Sequence, residues 1–245
     1  MIEHNLEIQT QDGLMNTFVT HPEENGPFPV VLFYMDAPGK REELHDMARR
    51  IATTGYVVVL PNLYYRRTKV FVWDRSDAAM KAMFEMTKHL SLELIMQDTA
   101  ALLDFVDHFD AANSDRVGAV GYCMSGPFVF KAAGYYPERI ACAASIYGAN
   151  LLTKRDDSPH LTAQNITGEM YFACAEIDHF APKDTIDALE GHLKESHINY
   201  RLEWYPGAEH GFAFPGRGAI YHKPSAERHW ERLHDLFDRN LKTDD

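Results

Sequence analysis

The sequence predicts an α/β fold, a mostly parallel central sheet with helices on both faces. Three observations predict it. Short apolar runs at 29–35, 56–60, 115–122, 140–147 and 170–175 have the length and content of strands buried on both faces. The segments at 41–54, 91–109, 183–196 and 225–241 carry apolar residues at helical spacing. Strand and helix alternate from residue 29 onward, the pattern of parallel strands joined by right-handed crossovers.

In chain order, residues 5–22 alternate weakly about Asp12-Gly13, the turn pair of a hairpin. After Gly26-Pro27, the first central strand runs over 29–35 and ends in Asp36-Ala-Pro-Gly39. Leu44, Met47, Ala48 and Ile51 mark the helix over 41–54, Gly55 closes it, and 56–60 is the next strand. Residues 62–90 break the rhythm with Tyr64 to Arg67, then Phe71, Trp73, Met80, Met83, Phe84 and Met86. Methionines and aromatics at helical spacing are expected in a core, and a segment over the carboxyl ends of the strands could line a ligand site as well. Leu92, Ile95, Met96, Leu102, Leu103 and Val106 make 91–109 an amphipathic helix. The strand 115–122 delivers Cys123, a helix runs to about 136 before Pro137, and 140–147 is again a strand. Residues 149–168 read as a polar loop. The strand 170–175 ends in Glu176-Ile-Asp178, a helix covers 183–196, and 200–205 alternates like a strand near the sheet edge. A turn-rich loop, 206–212, precedes a terminal helix whose inner face includes Trp230, Leu233, Phe237 and Leu241.

Composition narrows the function. The 245 residues suit one large α/β domain spanning 1–245, and no linker divides them. A net charge of −12 with no basic block argues against nucleic acid and anionic membrane surfaces. The start has neither the basic residues nor the apolar run of a signal peptide, and no segment suits a bilayer span, so a cytoplasmic protein is expected. Cys123, Cys142 and Cys174 are odd in number and lack metal-ligand spacing. With no phosphate-cradling glycine pattern and no His-Glu-x-x-His, neither a cofactor nor a metal is expected. The expected partner is a small molecule, and the expected state a monomer or small homo-oligomer.

The stretch Val117-Gly-Ala-Val-Gly-Tyr-Cys-Met-Ser-Gly126 runs from a strand into a turn of small residues with a thiol at its tip. A nucleophile on so sharp a turn needs small residues two positions to either side, here Gly121 and Ser125. A helix starting at Met124 would turn the positive end of its dipole toward the Cys123 sulfur and favour the thiolate. Ser125 is a rival nucleophile, but its flanks, Cys123 and Pro127, offer less room. The structural alternative is a small buried cysteine in a glycine-rich strand end.

Later loops weigh against that alternative. Asp178 follows a strand and His210 lies in the loop after the next, giving nucleophile, acid and histidine in the order of the α/β-hydrolases. The histidine would take the thiol proton and later activate water, while the acid would fix the imidazole tautomer. Asp178 could instead cap the following helix, with Glu176 the next acid. His179 is the next histidine, and most of the remaining histidines are expected to be solvated. Backbone amides of Met124 and of the loop Met35, Asp36, Ala37 would form the oxyanion hole.

Gly121-Tyr-Cys-Met-Ser-Gly126, Ala175-Glu-Ile-Asp-His-Phe-Ala-Pro182, Gly207-Ala-Glu-His-Gly-Phe212 and Leu60-Pro-Asn-Leu-Tyr64 resemble the dienelactone hydrolase family within the α/β-hydrolase fold. The resemblance implies Cys123, Asp178 and His210 as a triad and a thioester acyl-enzyme. It also implies departures at the substrate. Where the family has a glutamate beside the nucleophile this chain has Asp36, and where it has an arginine four residues after the histidine this chain has Phe214. Arg66 or Arg67 could meet an anion, or be solvated surface arginines. Phe71, Trp73, Phe84 and Phe214 suggest a more apolar pocket. The expected activity is hydrolysis of small esters or lactones, and the alternative is a non-hydrolytic ligand-binding or thiol-sensing protein on the same fold.

Overall fold

Gly13 sits at φ +129, a conformation strained for any L side chain, and so allows a two-residue turn between β1 (Ile2–Thr10) and β2 (Gly13–His21). A computed structural model of the protein describes residues 1–242 and divides into two compact units, Met1–Asp115 and a second beginning at Arg116.

In the first unit β3 (Phe28–Tyr34) pairs in parallel with β4 (Val57–Pro61), β4 pairs antiparallel with β2, and the order is β1-β2-β4-β3. All of β4 and all of β3 but Pro29 is buried, which is why these strands read as unbroken apolar runs. α1 (Glu42–Ala52) turns Leu44, Met47, Ala48 and Ile51 inward and packs on β2 and β4. Its acidic first turn and basic last turn complement the helix dipole, and Gly55, at φ +97, closes the connection. α2 (Asp77–Thr87) departs from expectation. Met83 is buried, but Met80 and Phe84 remain 42% and 46% exposed. Helical spacing tells which side chains share a face, not whether another element covers it. α3 (Leu92–Asp107) is capped by Ser91, whose hydroxyl accepts the Leu94 N–H at 3.2 Å, and it packs against β1.

β5 (Ala112–Tyr122) carries the chain into the second unit, where β5, β6 (Ile140–Ile146), β7 (Glu169–Ile177) and β8 (Asn199–Glu209) run parallel in that order. The helices are α4 (Gly126–Tyr135), α5 (Lys183–Glu195) and α6 (Lys223–Leu241). Two glycines of β5 show that helices cover both of its faces. A Cβ on Gly118 would meet Leu241 of α6 at 2.8 Å, whereas one on Gly121 would run into the Ser125 backbone and Val129 of α4. Side chains alternate along a strand, so residues three apart point to opposite sides.

The ends of β7 and β8 differ from the sequence reading. β7 continues to Ile177, and β8 continues through Pro206-Gly207, which the sequence marks as loop. A register shift after Ala175 and the left-handed Gly207 (φ +69) absorb the irregularity, and pairing resumes at Ile177 opposite Glu209. Trp230, Leu233, Phe237 and Leu241 of α6 are buried as expected. Arg228 and Arg232 of α6 also reach Glu203 on β8, and Arg239 reaches Glu169 on β7.

Candidate active site

Cys123 follows the end of β5 with φ +57, in the left-handed region. Such strain at a non-glycine residue costs on the order of 1–3 kcal/mol and persists only where the surroundings over-determine it. Here they do. The Cys123 carbonyl accepts the Ala149 N–H at 3.0 Å, the chain closes into a 3-10 turn over Cys123–Ser125, and any side chain at Gly121 would overlap the Ser125 carbonyl. A Cβ on Gly126 would overlap the Cα of Gly148 in the loop after β6. Ser125 is fully buried at φ −92. The strained, half-buried tip is therefore Cys123, not its rival. The α-helix proper begins at Gly126, later than the start at Met124 that the sequence suggests, with the 3-10 turn in between.

His210 and Asp178 meet within the same unit. His210 Nδ1 lies 2.8 Å from Asp178 Oδ2, and the carboxylate is almost wholly buried. Asp178 Oδ1 accepts the backbone N–H groups of Phe180 (2.8 Å) and Ala181 (3.2 Å), so one carboxylate fixes both the imidazole and the turn leading into α5. The capping alternative thus describes its second oxygen. The His210 N–H also bonds the Ile177 carbonyl at 3.2 Å. Glu176 is engaged elsewhere, accepting from the Gly207 amide at 2.7 Å, and His179 is exposed.

The other imidazole nitrogen, Nε2, is buried and makes no formed hydrogen bond, while the Cys123 side chain influences the His210 ring as a whole. Burial, the largest influence, pushes His210 toward its neutral form. The hydrogen bond that His210 donates to Asp178, together with the interactions with Cys123 and the Asp178 charge, outweighs it, raising His210 to about 9. A sulfur, an imidazole and a carboxylate in this sequence can exchange a proton and present a nucleophile.

The remaining candidates have other settings. Phe214 is fully buried, its ring packed on Tyr122 (5.3 Å between centroids) and Tyr147 (6.2 Å), so it fills core space instead of facing a substrate. In the first unit, Asp36 is fully buried and bound by the Arg41 guanidinium at 2.5 and 3.3 Å. Met35 and Ala37 flank it, and the Ala37 carbonyl accepts the Tyr64 hydroxyl at 2.7 Å. Arg66, expected as a possible anion contact, is already occupied. It grips both oxygens of buried Asp98 (2.7 and 2.8 Å) and reaches Asp12 at 2.7 Å. A carboxylate buried as deeply as Asp98 needs such a partner, which sequence spacing does not reveal. Arg67 is exposed, and Phe71 and Trp73 are half-buried. Among the described residues no group of three or more His, Cys, Asp or Glu could hold a metal ion, and no helix is long and apolar enough to cross a membrane.

The sequence reading missed a buried polar pair that involves Tyr122, the residue before Cys123. His229 is fully buried on α6, and its Nε2 lies 3.2 Å from the Tyr122 hydroxyl. Its position four residues before Leu233 and eight before Phe237 puts it on the inner helix face, a signal that could have found it.

A model of the dienelactone hydrolase family matches residues 15–241. A Synechocystis protein named "Putative carboxymethylenebutenolidase" is 25% identical over 238 residues, covering 96% of each chain. A Klebsiella pneumoniae structure described as a "Putative Dienelactone Hydrolase" superposes with a TM-score of 0.87 at 23% identity, over 97% of this chain and 98% of that one. A dienelactone hydrolase-like promiscuous phosphotriesterase from metagenomic libraries gives 0.78 at 18% identity, over 99% and 100%. At these identities the structural likeness is one of fold.

Proposed function

The chain belongs to the dienelactone hydrolase family, and from that premise we propose that it hydrolyses small esters or lactones through a thioester on Cys123. The observation that carries the proposal is the strained elbow at Cys123 beside an imidazole whose far nitrogen is held by Asp178 and whose near nitrogen has no formed hydrogen bond. Cys123 Sγ, its proton passed to His210 Nε2, attacks the substrate carbonyl carbon. The Met124 backbone N–H at the start of the turn steadies the oxyanion. Collapse expels the alkoxide, which takes the proton from His210 and leaves the acyl group on sulfur. His210, now neutral, takes a proton from water as that water attacks the thioester; collapse breaks the carbon–sulfur bond, releases the acid, and returns the proton on His210 to the leaving sulfur. Asp178 holds the imidazole in the tautomer both steps need. In a lactone both products stay in one molecule, an opened hydroxy acid.

The substrate side is read from Phe180, which remains 56% exposed although its ring lies 4.8 Å from that of His210. An exposed aromatic held beside the reacting groups favours an apolar or unsaturated substrate over a highly charged one. The printed name carboxymethylenebutenolidase among relatives makes unsaturated lactones a natural part of the test set.

Mass spectrometry of protein quenched during turnover of p-nitrophenyl acetate and a panel of lactones tests the reading. An acyl adduct on Cys123, absent together with activity in Cys123→Ala, is the expected result. Full activity in Cys123→Ala would overturn it. Undetectable turnover across the panel with ligand-induced stabilisation intact would favour a ligand-binding or thiol-sensing role.

A further inference from the structure

The left-handed conformation of Cys123 has to be held from both sides of the residue in sequence. On the C-terminal side the 3-10 turn and the Ala149 amide do so. On the N-terminal side the neighbour is Tyr122, whose side chain is fully buried and runs toward α6. Its hydroxyl meets His229 Nε2 at 3.2 Å, while His229 Nδ1 is hydrogen-bonded to the Ala226 carbonyl one turn earlier in α6. A carbonyl only accepts, so Nδ1 carries a proton, and in the neutral ring Nε2 accepts the proton of Tyr122. The pair thus has a defined direction, from Tyr122 through the imidazole into the α6 backbone.

The same Tyr122 ring is one wall of an aromatic array. It packs on Tyr147 at 5.9 Å, and Tyr147 packs in turn on the His210 ring at 5.1 Å and on Phe212 at 5.1 Å. Phe212 contacts His229 at 6.1 Å and so closes the circuit. The elbow bearing the sulfur and the loop bearing the imidazole are thereby tied to one cluster of rings, and the Tyr122 to His229 hydrogen bond fixes where the elbow sits within it. Rings alone tolerate sliding by fractions of an ångström, whereas a hydrogen bond sets a length and a direction.

We propose that Tyr122 and His229 are positioning residues that set the placement of Cys123 Sγ relative to His210 Nε2, with α6 as their anchor. The inference rests on the cysteine-nucleophile reading above. Neither residue touches the substrate. They act through the backbone of the nucleophile, and removing their bond leaves the chemical groups present but misaligned.

Tyr122→Phe removes one oxygen and keeps the ring, so it tests the bond with little change in packing. We expect kcat on p-nitrophenyl acetate to fall roughly ten- to a hundredfold, the range for a small misplacement of reacting groups, with KM nearly unchanged. The rate of Cys123 alkylation by iodoacetamide at one fixed neutral pH should fall severalfold as the sulfur loses its alignment with the imidazole. His229→Leu should behave alike, the double variant should be no worse than the poorer single, and His229→Gln, which keeps an acceptor, should recover most of the activity. If Tyr122→Phe is folded and its kcat and alkylation rate match the wild type, the inference is overturned. It is also overturned if activity falls only in proportion to the unfolded fraction while the alkylation rate of the folded protein is unchanged. Wild-type protein run in parallel separates the two claims. An acyl adduct on wild-type Cys123 with an unchanged variant overturns the positioning role alone, and no adduct in the wild type overturns the nucleophile reading and this inference together.

Discussion

A single carboxylate, Asp178, has two unequal tasks, and they can be taken apart by substitution. Asp178→Asn keeps the size of the side chain but offers His210 Nδ1 an amide in place of a charge, so the imidazole loses its enforced tautomer. A drop in kcat on the order of 10⁴ is the expected scale for this change in a nucleophile–histidine–acid system, and ester-hydrolysis kinetics of the purified variant would measure it. The His210 proton also has a stability signature. Its ordinary pKa is 6.5 and the folded one is raised to about 9. The folded state therefore binds this proton more tightly than the unfolded state. The contribution is complete below about pH 6.5 and is lost as pH rises through about 9. Thermal unfolding followed from pH 6.5 to 9.5 should show a falling Tm, and the fall should be smaller in Asp178→Asn. An unchanged slope in the variant would show that Asp178 is not what raises His210.

Among the elements, the elbow and α6 make opposite demands. The elbow needs absence of volume. Gly121→Ala places a methyl group against backbone atoms of Ser125, which cannot swing away, whereas Gly118→Ala meets the tip of Leu241, which can. Overpacking costs about 1–3 kcal/mol, so Gly121→Ala should lie at or above the upper end of that range and Gly118→Ala at the lower end in urea denaturation. α6 is held instead by charge. Burial, the strongest influence on both Glu203 and Glu169, pushes their carboxyls up, but hydrogen bonds from Arg232, Arg228 and Tyr171 to Glu203, and from Arg239 and Asn240 to Glu169, prevail and hold both below the ordinary value. Depressed carboxyls stabilise above their unfolded pKa of about 4.5 and lose that stabilisation as pH falls through the lower folded values. Acidification below pH 4.5 should therefore expose amides of α6 to hydrogen exchange early, and Glu203→Gln should weaken that acid dependence.

For the molecule as a whole, a net charge of −12 sets a background of self-repulsion. Raising NaCl from about 0.01 M to 0.15 M shortens the screening length from about 30 Å to 8 Å and should raise the Tm. A fall would mean that the surface ion pairs around Arg49 and Arg155 outweigh the repulsion. The fold was largely legible in the sequence, because strands buried on both faces must be apolar throughout and the covering helices must repeat at 3.6 residues. The elbow was legible for a similar reason. The need for bare backbone at Gly121 and Gly126 appears directly as residue type, and chain order carried Asp178 and His210. What spacing left open was occupancy. The sequence left Arg66 and Arg67 open as anion contacts or solvated surface residues and suggested Phe214 as part of an apolar pocket, and only the fold gave Arg66 to Asp98 and Phe214 to Tyr122 and Tyr147. It likewise grouped Met80 and Phe84 with Met83 without showing that they stay exposed, and it did not single out His229, which α6 buries against Tyr122. Local pattern by itself determined the elements, the elbow and the order of the reactive groups, because those follow from interactions along the chain. Which charges are neutralised, which rings are core and which histidine is buried against Tyr122 were decided by tertiary structure, because partners distant in sequence set burial and pairing.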